Sequence, residues 1–253
     1  MNATLTYVYC LVRTARRPAL RDVPAGLSGS RDLRLLDAGD GTWLVAASVP
    51  GREYGEASLQ RGLQDIDWVG RRAMEHEAVV EHFLPAPAVL PMQLFTLFTS
   101  DERAVSHVAR DKKRIARLMA RIERQLEWGL RLTWDEKGVR ETVERAHDRP
   151  VSGAAFLARK RDLLDVNRVQ LTQARAAANR LYRAMAREAT DARRRTATEQ
   201  AAPGSRLLLD AAFLVPTRKA GAFRAALRRN TKTLGRSGLV VSLTGPWPPY
   251  NFI

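Results

Sequence analysis

Cysteine is all but missing from this 253-residue chain: Cys10 stands alone. No intramolecular disulfide can form, which excludes a disulfide-stapled fold. Its setting in the apolar run Tyr7-Val8-Tyr9-Cys10-Leu11-Val12 predicts a buried, inert thiol. Aromatic residues are sparse at 7%, histidines number four, and 27 acidic residues face 42 basic ones, a formal charge of +15. Long apolar runs are lacking as well. The uncharged stretches Phe83 to Ser100 and Ser237 to Ile253 are interrupted by Pro85, Pro87 and Pro91 and by Pro246, Pro248 and Pro249. Neither reads as a membrane-crossing helix of roughly 20 apolar residues. No basic segment precedes the first apolar run and no small-residue cleavage site follows it, so no secretory leader is expected and the reducing cytoplasm is the expected compartment.

What is present is 45% apolar content arranged in periodic segments. At this length one or two domains are expected, burying roughly three quarters of the unfolded chain's surface. β-Branched and aromatic residues predict a strand over Thr4 to Val12, and Asp40-Gly41 predicts a hairpin joining strands at Leu33 to Asp37 and Thr42 to Ala47. Helical spacing of Leu59, Leu63, Ile66, Val69 and Ala73 predicts a helix to about His82, packed on the sheet through that stripe. Ala88 to Thr99 reads as extended and buried. A second helix, capped by Ser100 or Asp101, is expected to run to about Glu127.

We place a domain boundary there, giving domains 1–126 and 127–253. In the second half, Trp128 to Trp134 predicts a strand and Asp135 to Pro150, with Gly138, a polar connection. A long helical segment follows from Ser152 to about Arg195, with Leu157, Leu164, Leu171, Ala178 and Met185 at seven-residue spacing, until Pro203-Gly204 breaks it. The polar companions Lys160, Asn167 and Glu188 favour packing within the domain over a coiled coil. A strand at Leu207 to Val215, a helix at Thr217 to Leu234 and a strand at Leu239 to Thr244 complete the pattern. The two halves have similar element patterns without a residue-level repeat.

Catalytic and cofactor constellations are not found. Of His76, His82, His107 and His147, the first two lie six residues apart, about 240° around a helix, whereas zinc-protease signatures need one face. No glycine precedes Lys-Ser or Lys-Thr, so no phosphate-binding loop is present, and a Gly-x-Ser-x-Gly elbow is also missing. Gly39-Asp40-Gly41 is a turn, and Glu75, Glu77 and Glu81 read as a solvated face. We therefore expect no enzymatic activity, no small-molecule substrate and no cofactor or metal.

Charge does imply a partner class. Arg110 to Arg124 holds seven basic residues against Asp111 and Glu123, and no acid follows Asp210, although Arg218, Lys219, Arg224, Arg228, Arg229, Lys232 and Arg236 do. Such helices suit phosphates or acidic protein faces. Tyr7 and Tyr9, two apart on a strand, could stack on bases as in RNA-binding sheets, but solvated basic faces and core tyrosines are the expected reading. The basic, aromatic-rich second motif of those sheets is not found.

The ending Leu239-Val240-Val241-Ser242-Leu243-Thr244-Gly245-Pro246-Trp247-Pro248-Pro249-Tyr250-Asn251-Phe252 is too particular for composition to explain. It resembles the ending of the gas vesicle accessory proteins of the GvpF/GvpL family. Four stretches agree in order: Tyr7-Val8-Tyr9; His76-Glu77-Ala78-Val79-Val80 with Leu90-Pro91; Glu127-Trp128-Gly129; and Ala211-Ala212-Phe213-Leu214-Val215-Pro216. Cys10 replaces the usual glycine after the opening motif, and Gln93 and Phe95 replace a basic residue and a glycine. The resemblance implies an α+β protein of two domains, ferredoxin-like at the N-terminus and α/β with a long helix at the C-terminus. It also implies a non-enzymatic, cytoplasmic gas vesicle assembly factor or minor vesicle component that binds the hydrophobic shell protein and other accessory proteins. Trp247, Pro248, Pro249 and Tyr250 are expected either as a rigid docking surface or as a proline-fixed tail that locks the last strand onto the core and covers a sheet edge, with Arg224 and Arg228 steering acidic partners. The alternative is a basic nucleic-acid-binding module on a ferredoxin-like sheet.

Overall fold

The computed structural model describes residues 4–135, 153–196, 204–232, 234 and 238–253. The chain divides into two compact units, Met1–Leu126 with Trp247–Ile253, and Glu127–Pro246. The fold is mixed helix and sheet, with two antiparallel sheets. The final seven residues, which sequence reading assigns to the second half, cluster with the first unit.

The first unit is built on β1 (Thr4–Arg13), β2 (Arg31–Asp37), β3 (Thr42–Pro50), β4 (Ala88–Pro91) and the short β5 (Leu97–Phe98), in the order β2-β3-β1-β4 with β5 also on β1. The expected hairpin forms. Leu36 pairs with Leu44, and Asp37 with Trp43. Gly41 takes φ +66°, and a Cβ there would lie 2.8 Å from the Thr14 carbonyl oxygen, which is why glycine stands at this turn. A bulge at Tyr9 breaks the alternation of β1. Tyr7, Tyr9, Cys10 and Val12 all pack in one cluster, with Val79, Val80 and Phe83, while Val8 and Leu11 join Ala104, Val108, Met119 and Ile122 on the other face.

Helices therefore cover both faces of this sheet. The stretch expected as one helix to His82 is three: α1 (Gly51–Tyr54), α2 (Glu56–Gly62) and α3 (Ile66–His82). Asp65 restarts the helix, its carboxylate accepting from the amides of Asp67 and Trp68 at 3.0 Å each. The break changes the register of the apolar stripe. Leu63 and Ile66 are consequently exposed, and His76, Val79 and Val80 supply the buried face. Beyond β4 and β5, which occupy only part of the stretch expected to be extended, α4 (Asp101–Arg110) and α5 (Lys112–Ile122) replace the single expected helix. Ser100 caps α4, accepting from the Arg103 amide at 3.4 Å. Arg124, at φ +53°, then turns the chain into the next strand earlier than sequence reading places it.

In the second unit β6 (Gln125–Asp135), β7 (Asp191–Arg194), β8 (Ser205–Pro216) and β9 (Leu239–Trp247) lie in the order β7-β8-β6-β9. Two helices, α6 (Gly153–Ala186) and α7 (Ala220–Thr231), pack on one face. Trp128, Leu130, Leu132 and Trp134 alternate into that core with Phe213 and Val215 from β8, Ala178, Leu181 and Met185 from α6, and Phe223 and Leu227 from α7. The expected seam holds at Leu171, Ala178 and Met185. The Leu157, Leu164 and Lys160 side chains lie outside the described residues, as do Gly138, His147, Pro203, Arg236 and the rest of the polar connection. β7 corrects the sequence reading, which carried the helix to Arg195. Its pairing with β8, Asp191 opposite Leu214 and Arg193 opposite Ala212, outweighs the helical preference of an Ala- and Arg-rich stretch.

Taken in chain order, the four main strands of each unit lie 2-3-1-4. In the second unit helices span both the β6-to-β7 and the β8-to-β9 connections. In the first, residues 14–30 connect β1 to β2 without a helix.

Candidate functional site

The Tyr7-Val8-Tyr9 and His76-Glu77 motifs and the Pro-Pro-Tyr tail belong to the first unit, whereas Glu127-Trp128-Gly129 and Ala211 to Pro216 belong to the second. Tyr7 and Tyr9 are 0% exposed: they are core tyrosines, and neither offers a ring to a base. The Tyr7 hydroxyl and His76 Nδ1 lie 2.7 Å apart in a hydrogen bond, and the Phe95 amide donates to the same hydroxyl at 3.3 Å. The Tyr9 ring packs edge-on against Tyr7 with centroids 4.7 Å apart, and stacks on His76 at 5.7 Å. Its hydroxyl accepts from the Leu27 amide at 2.9 Å. Gly26, at φ +77°, leaves room for it, since a Cβ there would lie 2.3 Å from the Tyr9 oxygen. The helixless connection is pinned further by Tyr54, whose hydroxyl donates to the Ser28 carbonyl at 2.7 Å, and by Glu75, which accepts from the Ser28 amide at 3.0 Å.

Burial sets the protonation states. It pushes His76 down to about 4 and the Tyr7, Tyr9 and Cys10 groups above their ordinary values. His76 is thus a neutral hydrogen-bonding core residue at neutral pH, and the Cys10 thiol stays protonated.

The tail enters next to this cluster. Trp247 ends β9, Pro248 and Pro249 are buried, and Tyr250–Phe252 form a short 3-10 turn that buries Phe252 completely. The Tyr250 amide donates to the Pro248 carbonyl at 2.8 Å and the Phe252 amide to the Pro249 carbonyl at 3.0 Å. The Tyr250 hydroxyl donates to the Glu77 carboxylate, the residue after His76. Burial first, and this bond second, raise the Tyr250 hydroxyl above its ordinary range. Of the tail residues expected to dock a partner, Trp247 is 37% exposed and Tyr250 half-buried, while Pro248 and Pro249 face inward. Arg224 and Arg228 are exposed on α7 in the second unit, so the structure does not gather the expected residues into one unit.

Sequence reading missed an apolar outer face on α3. Ile66 is 85% and Met74 75% exposed, with Leu63 just before the helix also exposed. Gly70 stands between Ile66 and Met74 at four-residue spacing, with open space where its Cβ would be. The signal in the sequence is the four-residue spacing of Ile66, Gly70 and Met74, which the adjoining stripe through Leu63 and Ile66 disguises as core. Among the described residues no group of three or more His, Cys, Asp or Glu side chains is placed to hold a metal, and no helix is long and apolar enough to cross a membrane.

The chain matches, over residues 5–253, the family model described as gas vesicle synthesis protein GvpL/GvpF. It is 30% identical to gas vesicle protein L of Streptomyces sp. (strain CB03234) over 256 residues, covering 98% of this chain and 92% of that protein. Two crystal structures share its fold at 15% identity. GvpF of Anabaena sp. PCC7120 gives a TM-score of 0.69 over 98% of this chain and 95% of that one. GvpF of Microcystis aeruginosa gives 0.68 over 99% and 98%.

Proposed function

The chain belongs to the GvpL/GvpF family of gas vesicle synthesis proteins, and on that premise we propose that it is a non-enzymatic, cytoplasmic assembly factor or minor component of gas vesicles. It binds the hydrophobic shell protein and other accessory proteins while the vesicle forms. The observation that carries this reading is the match along nearly the whole chain, residues 5–253, rather than over one fragment. A physical need supports it. An apolar shell subunit made before its lattice exists presents aggregation-prone surface that a transient partner can cover. Of Trp247, Pro248, Pro249 and Tyr250, Trp247 is the exposed one and is the anchor in this reading. Pro248, Pro249 and Tyr250 hold it in place, and the apolar face Ile66 to Met74 is a second contact surface. Arg224 and Arg228 steer acidic partners.

We also read the two units as separate domains, the first a ferredoxin-like variant. The 2-3-1-4 strand order supports this, and the absence of a helix in 14–30 is its departure from that pattern.

The test is co-purification of the tagged chain with co-expressed shell protein, at low and high salt, with nuclease present. Retention of shell protein at both salts is expected for an apolar contact. Binding lost to salt or nuclease, with no shell protein recovered, would overturn the reading in favour of a basic nucleic-acid-binding module.

A further inference from the structure

Helix α7, the turn before it and the residue that caps its C-terminus carry Arg218, Lys219, Arg224, Arg228, Arg229 and Lys232, all exposed. No acidic residue follows Asp210 in the chain, and none of these six side chains has an ion-pair partner among the described residues. Cations near a helix C-terminus are favoured by the helix dipole, which accounts for Arg228 and Arg229 in the last turn. Arg218 and Lys219 stand at the opposite end, where the dipole disfavours them. Helix electrostatics therefore do not explain the run.

Arg224, Arg228 and Lys232 recur every four residues, forming a ridge that rises about 6 Å per step, and like charges at that spacing repel. Arg224 is held on the surface by the Trp128 ring, its guanidinium 5.9 Å from the ring centroid. Beside the ridge the outer face is low. Gly221 and Ala222 are exposed and Ala225 half-exposed, and a Cβ at Gly221 would meet nothing within 4 Å. A second helix can approach such a face closely, since interaxial distance is set by the side chains at the contact.

We propose that this face of α7 docks an acidic helix of a partner protein, with carboxylates at four-residue spacing set against Arg224, Arg228 and Lys232. The inference rests on the assembly reading above, for which it names the chemistry of a partner other than the apolar shell. The ridge calls for a negatively charged partner, and the low small-residue surface beside it favours a helix over a nucleic acid. Trp128, the aromatic ring at this face, lies buried beneath Arg224, so bases find no stacking platform there.

The test uses the full chain and a fluorescent, Ala-rich helical peptide of roughly 20 residues with Glu at every fourth position, read by anisotropy across a salt series. The same peptide with Gln for Glu and a single-stranded RNA of similar length serve as comparisons. The Glu peptide is expected to bind and the Gln peptide not to. Affinity is expected to fall about tenfold or more in Arg224→Glu/Arg228→Glu/Lys232→Glu, and to hold in the control Lys113→Glu/Arg117→Glu on α5. Arg228→Gln/Lys232→Gln leaves Arg224 on Trp128 and shows the same direction of change should the triple variant fold poorly. Equal loss in the α5 control overturns the proposal, as does RNA binding tighter than the Glu peptide and abolished by the same α7 changes. Shell-protein capture by the wild-type chain, scored separately, tells failure of the assembly reading from failure of this inference.

Discussion

The Tyr250 hydroxyl, in the final turn of the chain, donates to the carboxylate of Glu77 on α3, 173 residues earlier. The bond ties the Pro-Pro-Tyr tail to the helix that carries His76. A hydrogen bond to a charged group of this kind contributes about 1.5–3 kcal/mol. Tyr250→Phe keeps the ring and removes the donor, so we expect a loss of about 2 kcal/mol in urea unfolding. A double-mutant cycle with Glu77→Gln should give a clear coupling energy; additive effects would mean that the bond does not hold the tail.

Phe252 and Trp247 should separate anchoring from docking. Phe252 is fully buried, and its truncation to Ala is expected to cost about 3 kcal/mol or more. Trp247→Ala is expected to cost about 1 kcal/mol or less while abolishing co-purification of shell protein. If its melting temperature falls as far as that of Phe252→Ala, Trp247 is a core residue and the docking role is lost.

His76 should give the fold a pH dependence of known sign. Its pKa is lowered by burial to about 4 from an ordinary 6.5. Between those values the unfolded chain binds a proton that the folded chain refuses, so stability rises with pH. The contribution is complete above about pH 6.5 and is lost as pH falls towards about 4, amounting to about 3 kcal/mol. The neighbouring Tyr7 and Tyr9 hydroxyls are pushed upward and do not titrate in that window. Urea midpoints measured from pH 7 down to pH 4 should fall steeply in the wild type and flatten in His76→Gln.

Phe95 occupies a glycine-like backbone conformation at φ +66° while its ring stacks on Trp68 with centroids 5.3 Å apart. Both Phe95→Ala and Phe95→Gly lose the stack, but only glycine relieves the backbone. We expect the glycine variant to be the more stable of the two by about 1 kcal/mol, although it buries less. The reverse order in thermal melts would show that the loop relaxes around the substitution.

Much of this was readable locally. The strand at Thr4 to Val12, the Asp40-Gly41 hairpin and the Ser100 cap rest on interactions within a few residues, and each signal sits in the segment it shapes. The seam through Leu171, Ala178 and Met185 is likewise a periodicity of one element. Of the candidate site, the sequence singled out Tyr7, Tyr9, His76, Glu77 and Tyr250 as parts of motifs, but nothing in their spacing indicated that they meet.

By itself the sequence determined the composition of the elements, the family to which the chain belongs, and the one-sided charge after Asp210. Tertiary structure decided the rest. A bulge opposite β3 put Cys10 on the same face as Tyr9, against strict alternation. Pairing with β8 made a strand of Asp191–Arg194, where local preference favoured helix. The Asp65 cap turned Ile66 outward, and the return of the tail to the first unit buried Pro248 and Pro249 and placed Tyr250 on Glu77. The physical reason is one of range. Propensity, capping and turn sterics act between near neighbours, whereas strand pairing and burial depend on partners far along the chain, whose positions exist only once the sheets have formed.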